Sequence, residues 1–143
     1  MLAFAEVANV LGLPAREMAA RSPFGLISRI ELGLPVSSLE KLAFLLAPSD
    51  ARFKYRLVPK ATYERRKVAH KLSPEEGTRL ARVARVWNLA KDVWGNDEDA
   101  RDFLFRPHSM IEDKRPVDAV IQNEFGAEMV MDILGRLKYG TAA

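Results

Sequence analysis

The chain contains no cysteine, which excludes disulfides, thiol nucleophiles and every thiolate-based zinc site. Histidine is nearly as scarce. His70 stands in a basic segment and His108 in a proline-bounded stretch, and neither has a patterned partner for general acid–base work. The longest uninterrupted apolar run is Leu42 to Ala47, against the ~20 residues a membrane-spanning helix needs. The apolar opening, Met1 to Ala5, meets Glu6 and lacks the basic flank of a secretory leader, so it reads as a first core helix. The eight glycines are scattered, with no phosphate-cradling loop among them. Asp97, Glu98 and Asp99 point to different faces of a helix, so they do not converge on a metal; acids in a first turn answer the helix dipole instead. No segment alternates convincingly with period two, which leaves helices as the building material. These absences point away from an enzyme, and no catalytic, metal-binding or cofactor-binding residue is assigned.

What is present is an ordinary globular composition, 48% apolar and 29% charged over 143 residues. That suffices for one core, or for two small helical units sharing one. The net charge of +3 hides an asymmetry. Residues 1–71 carry 12 basic and 6 acidic side chains, whereas residues 72–143 carry 10 and 13. A positive first half and a negative second half fit two partners of different character.

Helical spacing runs throughout. Leu2 to Leu11 forms a short helix closed by Gly12, residues 14–21 another, and Phe24 to Leu32 a third with apolar residues at 24, 26, 27 and 30 and Gly33 as its end. Ser37 and Glu40 have the spacing of a capping box before Leu39 to Ala47. Asp50 to Val58 follows, and Pro59 introduces Lys60 to Lys71. The strongest start signal is Ser73-Pro74-Glu75-Glu76: a serine cap, a proline at the first helical position and a glutamate at the third. From there Leu80, Val83, Ala84, Trp87, Ala90 and Trp94 mark one face of a long helix ended by Gly95. Asn96 caps the next, with Phe103 and Leu104 inward; residues 106–116 form a loop; a short helix covers 117–122. Asn123 caps a last helix with Val130, Ile133, Leu134 and Leu137 inward and Gly140 as stop. Core packing is the expectation for Trp87, Phe103 and Phe125.

Residues 50–71 hold eight basic side chains against Asp50 and Glu64. An apolar helix, a basic helix, a Val58-Pro59 turn and a second basic helix follow the order of a helix-turn-helix, which places its second helix in the DNA major groove. Lys60, Thr62, Tyr63, Arg65, Arg66 and Lys67 are the candidate DNA contacts, the cations neutralising phosphates. A solvated basic face is the plainer alternative. In the second half Phe105, Met110 and Ile111 are apolar residues in a polar loop followed by Lys114-Arg115. Such a loop either forms part of a protein interface or folds back on the core.

These residues resemble the antitoxins of the Xre/MbcA/ParS family, the smaller partners of RES-domain toxins. The resemblance is strongest from Leu72 to Gly140. It is carried by Leu72-Ser73-Pro74-Glu75-Glu76, Arg79-Leu80-Ala81-Arg82, Trp94-Gly95, Asn96 to Ala100, Phe103-Leu104, Pro107, Pro116-Val117, Gly126 to Val130, Leu134-Gly135-Arg136 and Tyr139-Gly140. Phe24 to Ser38 and Thr62 to Arg66 resemble the family's helix-turn-helix more loosely. This chain has Glu112-Asp113 where the family often carries glycine before Pro116, and Asn123 where it often has threonine or serine.

The resemblance implies an all-α fold: an Xre-like helix-turn-helix domain over residues 1–71, packed against a C-terminal toxin-binding domain over 72–143. It implies a cytoplasmic homodimer that binds operator DNA, represses its own operon and blocks a RES-domain toxin by occluding an NAD-attacking, ADP-ribosyltransferase-like active site. Arg136, Lys138, Tyr139 and Gly140 are the toxin contacts it implies; Met110, Lys114 and Arg115 join them as candidates from the pattern of their own loop, and no cofactor and no membrane are expected. The alternative is a dimeric helix-turn-helix transcription regulator without a toxin partner.

Overall fold

The computed structural model of this chain describes residues 2–14 and 23–140. The helix expected over residues 14–21 lies outside them but for Pro14, as does the Thr141–Ala143 tail. Among the described residues every regular element is helical: α1 (Leu2–Val10), α2 (Pro23–Leu32), α3 (Val36–Leu46), α4 (Lys54–Leu57), α5 (Lys60–Ala69), α6 (Pro74–Trp94), α7 (Asp97–Phe105), a 3-10 turn (Ser109–Ile111), α8 (Pro116–Gln122) and α9 (Glu124–Tyr139). The all-α expectation holds. None of these helices is long and apolar enough to cross a membrane. The chain divides into two compact units, residues 1–84 and 85–143, and the division falls inside α6.

Unit 1 is built around α3. Leu39, Leu42, Ala43 and Leu46 recur at helical spacing and are buried, each leucine contributing roughly 1.5–3 kcal/mol. The expected Ser37–Glu40 capping box does not form. Pro35 sets an extended residue ahead of Val36, so α3 begins earlier, without a side-chain cap. Ser38 is instead fully buried and donates its hydroxyl to the Leu11 carbonyl oxygen at 2.6 Å, tying α3 to the end of α1. The helix expected from Asp50 to Val58 is regular only over Lys54–Leu57. The Asp50 carboxylate accepts the Arg52 amide at 2.9 Å, a local turn that competes with helix. On α2, Leu26 is buried while Phe24 and Ile27 are exposed, so the inward face is narrower than the apolar pattern.

The start of α6 matches its sequence signal. The Glu76 amide donates to the Ser73 hydroxyl at 3.2 Å, and the Ser73 amide donates to the Glu76 carboxylate at 2.8 Å. Leu80, Val83 and Ala84 close the core of unit 1.

Unit 2 continues α6 with Val86, Trp87 and Ala90 buried. Asn96 caps α7 by accepting the Asp99 amide at 2.8 Å, and Asn123 caps α9 by accepting the Gly126 amide at 2.9 Å. The helices α8 and α9 approach so closely at Gly126 that any Cβ there would strike the Ala119 carbonyl group. Glycine is needed at that point for its missing side chain, not for its backbone freedom. Val130, Ile133 and Leu134 are buried as expected. Three core assignments are corrected: Phe125 is 77% exposed, Leu137 46% and Trp94 39%. Helical periodicity identifies a face but not where its cover ends, and Trp94 and Leu137 lie in the last turns of α6 and α9.

Candidate nucleic-acid and protein-binding surfaces

Unit 1 presents a basic surface on α4 and α5. The Tyr55 and Tyr63 rings meet edge to face at 5.8 Å. The Lys54 ammonium lies 4.8 Å from the Tyr63 centroid and 5.5 Å from that of Tyr55; those of Lys67 and Lys60 lie 5.3 Å from Tyr63 and 5.9 Å from Tyr55. Three cations thus sit over two ring systems, an arrangement worth roughly 0.5–1 kcal/mol per exposed contact. That holds flexible lysine stems in place while their charge remains available to an anion. Lys60, Arg65 and Lys67 are exposed and Thr62 half-buried, its hydroxyl accepting from the Arg65 guanidinium at 3.2 Å.

Two residues expected at this interface make contacts within unit 1. Tyr63 is 3% exposed, and its hydroxyl donates to the Glu40 carboxylate. Burial first, and the Glu40 carboxylate second, push its phenol above the ordinary range. Arg66 grips Glu76 at two points, Nε to Oε1 at 2.8 Å and Nη2 to Oε2 at 3.1 Å. Burial pushes the Glu76 carboxyl up, but hydrogen bonds from Arg66 and then from Ser73 outweigh it and hold the carboxyl below its ordinary value. A second cation, Arg79, donates to the Leu57 carbonyl oxygen at 2.7 Å, anchoring α6 to the turn that precedes α5. Of the six expected DNA contacts, Lys60, Arg65 and Lys67 are exposed, Thr62 and Arg66 half-buried, Arg66 already paired, and Tyr63 buried.

In unit 2 the loop between α7 and α8 folds on itself. The His108 amide donates to the Lys114 carbonyl oxygen at 3.0 Å, the Asp113 amide to that of His108 at 3.0 Å, and the Met110 amide to His108 Nδ1 at 3.2 Å. The fold-back alternative is realised at one residue of this loop and not at the other. Ile111 is buried in the core and Met110 is exposed. Lys114 is exposed. Arg115 is occupied: it makes a two-point pair with Asp118 at 2.8 and 3.1 Å and covers the Phe105 ring at 5.4 Å. Glu112 and Asp113, side by side, both take left-handed backbone, φ 58° and 61°.

The end of α9 separates into two kinds of residue. Lys138 pairs with Asp92 of α6 at 2.5 Å, which raises its pKa. Arg136 is half exposed and pairs with Asp132 in its own helix. Tyr139 is 72% exposed, and Gly140 caps α9 at φ 65°. At a helix's 100° per residue, Phe125, Asp132, Arg136 and Tyr139 fall within about 60° of one another, opposite Val130, with Met129 beside them. Phe125 and Met129 are both exposed, so the outward face of α9 carries an apolar half and a charged, aromatic half. The candidate toxin contacts expected from the sequence reach only the second half of this face. The signal for the first was available: once Ala127, Val130, Ile133 and Leu134 claim the inward face, Phe125 has to point out.

The loop and the end of α9 flank one pocket. It has a volume of about 250 Å³ and is lined by Trp94, Asp99, Asp102, Phe103, Arg106, Pro107, His108 and Leu137. The rings of Trp94 and Phe103 lie 6.0 Å apart, and the His108 ring meets Phe103 edge to face at 6.0 Å.

Comparison with known proteins matches both parts of the chain. A family model described as the antitoxin Xre-like helix-turn-helix domain matches residues 25–85, and one described as the antitoxin Xre/MbcA/ParS C-terminal toxin-binding domain matches residues 89–140. The chain is 28% identical over 133 residues to the antitoxin Xre of Yersinia enterocolitica serotype O:8 / biotype 1B, covering 91% of this chain and 86% of that protein.

Proposed function

Because the chain belongs to the Xre/MbcA/ParS family of antitoxins, with a helix-turn-helix domain and a toxin-binding domain and no enzymatic role, we propose that it neutralises a RES-domain toxin by covering that toxin's active-site cleft. The observation that carries this reading is the outward face of α9, where exposed Phe125 and Met129 lead to Arg136 and Tyr139 inside the stretch matched by the toxin-binding model. Apolar anchors at the centre with cations at the rim have the make-up of a protein interface. Arg136, Tyr139 and Gly140 then enter the cleft, where a guanidinium pairs with acidic groups and the bulk of Tyr139 excludes NAD. Met110 and Lys114 of the loop add contacts beside them. Arg115 and Lys138, which are held by Asp118 and Asp92, support this surface from within the unit.

The same reading assigns Lys60, Thr62, Arg65 and Lys67 to the phosphates and base edges of an operator, through which the protein represses its own operon in the cytoplasm as a homodimer. Leu32, Phe44 and Val68 leave exposed apolar area on unit 1 that a second copy would cover. The deciding experiment is truncation. A chain lacking residues 136–143 should keep DNA binding through unit 1 but lose toxin affinity and neutralisation, and Arg136→Ala with Tyr139→Ala, which spares Lys138 and Leu137, should weaken them in the same direction. If neutralisation is unaffected, occlusion by this segment is wrong. If the full chain binds no toxin encoded beside it, the protein is a dimeric transcription regulator instead.

A further inference from the structure

The pocket of unit 2 has a chemistry of its own. Two of its walls are aromatic, Trp94 with Phe103 and the edge of His108, and Pro107 and Leu137 complete the apolar lining. Its polar lining is Asp99, Asp102 and Arg106. Arg106 pairs with Asp102 at 2.8 Å, so two carboxylates against one guanidinium leave a net negative charge. Asp99 accepts from the Asn96 side chain through one oxygen at 2.9 Å. His108 accepts the Met110 amide at Nδ1, 3.2 Å, which fixes its ring at the pocket wall. The volume of about 250 Å³ falls below the ~300–1,000 Å³ of small-molecule sites, which favours a single side chain over a cofactor-sized ligand.

We propose that this pocket receives one arginine side chain from the protein partner. Aromatic walls take the flat face of a cation, and carboxylates take its N–H groups. Arginine fits both at once because its guanidinium is planar and stacks while it bonds; lysine offers only a point charge. Arg106 occupies part of the acidic lining and competes with the guest. That the donor is the toxin rests on the antitoxin reading above; the charge and shape of the guest do not.

The test has two arms. In the first, the isotope-labelled full chain is titrated with an N-acetyl-arginine amide, and the indole N–H signals of Trp94 and Trp87 are followed. Trp94 should shift saturably, while Trp87, buried in the core, stays in place. The neutral citrulline derivative should shift Trp94 far less. Asp99→Asn with Asp102→Asn should weaken the arginine response several-fold, and Arg106→Ala should strengthen it, a gain no merely structural role would produce. Absence of a saturable Trp94 shift, or an equal response to citrulline, overturns the proposal. In the second arm, the double aspartate variant should bind the toxin about tenfold more weakly. Unchanged affinity for a toxin that the wild type binds overturns the docking role. A wild-type chain that binds no toxin refutes the antitoxin reading, and the arginine titration then decides the pocket alone.

Discussion

Arg66 and Glu76 are joined by two hydrogen bonds, at 2.8 and 3.1 Å, across the turn between α5 and α6. Glu76 also closes the capping box with Ser73. One carboxylate, 7% exposed, therefore starts the long helix and fixes the basic helix beside it. Arg66→Ala strands that carboxylate and is expected to cost about 1–3 kcal/mol. The neighbouring exposed Arg65→Ala should leave stability within about 0.5 kcal/mol of the wild type. Thermal or urea unfolding of the two variants separates the roles.

The same pair sets an acid limit. The Glu76 carboxyl is held below its ordinary value in the folded chain. Its contribution is therefore fully present above the unfolded glutamate value of about 4.3, and is lost as pH falls through the lower folded value. Urea unfolding midpoints should decline across this acid window in the wild type. In Glu76→Gln they should start lower and decline less. Parallel slopes in the two proteins would refute the assignment.

On the DNA side, Lys60→Ala, Arg65→Ala and Lys67→Ala should each flatten the salt dependence of operator binding, by about 0.9 in log–log slope for every phosphate left without its cation. Tyr63→Phe should behave differently. It removes the donor to Glu40, which costs about 1 kcal/mol of stability, and it leaves the salt slope intact. Measuring affinity at several salt concentrations, with stability measured in parallel, distinguishes a residue that neutralises a phosphate from one that merely seats α5.

The contrast between Arg65 and Arg66 shows how far the sequence could be read. Local signals survived where they involve only a few neighbouring residues: Ser73 with Glu76, Asn96 with Asp99 and Asn123 with Gly126 all cap as their spacing predicts. They failed where a distant residue competes. Ser37 and Glu40 have the spacing of a cap, but Pro35 starts the helix earlier, and Glu40 is taken by Tyr63 from another helix. The run Arg65-Arg66-Lys67 reads as three equal cations because nothing in it reveals that Glu76 lies across the turn from the middle one. The halves of the chain also share α6, so no linker marks the division inside it. The pocket was illegible for the same reason, since it joins α6, α7, the loop and α9.

Glu112 and Asp113 occupy left-handed backbone that costs a residue with a side chain about 1–2 kcal/mol. Aspartate tolerates it better than glutamate, because its short side chain can bond locally. Glu112→Gly should therefore stabilise the chain by up to ~1 kcal/mol once the added freedom of the unfolded chain is subtracted. Asp113→Gly should gain less, and Glu112→Val should destabilise. A melting temperature unchanged by Glu112→Gly would mean that the loop relaxes without cost.

Gly126 makes the opposite prediction. Its backbone is ordinary helix, yet a methyl group there would collide with the Ala119 carbonyl group. Gly126→Ala has the better intrinsic helix propensity by about 1 kcal/mol and should nevertheless destabilise unit 2 by about 3 kcal/mol, because α8 and α9 have to separate. Hydrogen exchange should show the loss concentrated in those two helices.

Phe125 and Met129 test the outward face of α9 directly. Truncating a covered core side chain would cost about 2–5 kcal/mol of stability; these two are 77% and 48% exposed, so Phe125→Ala with Met129→Ala should leave the melting temperature nearly unchanged. At an interface the same pair would act as apolar anchors, and hot-spot anchors contribute about 2 kcal/mol or more each. Toxin affinity of the double variant is expected to fall by at least tenfold, mostly through faster dissociation. Arg136→Ala should cost less than the loss of Phe125, because its guanidinium leaves an existing partner, Asp132 at 3.1 Å, on entering the complex. Binding kinetics on an immobilised toxin measure all three variants together. If the double variant binds like the wild type, α9 does not present its outward face to the toxin. If instead it melts well below the wild type, the two side chains are covered within the protein itself, and the exposed stripe is not a free surface.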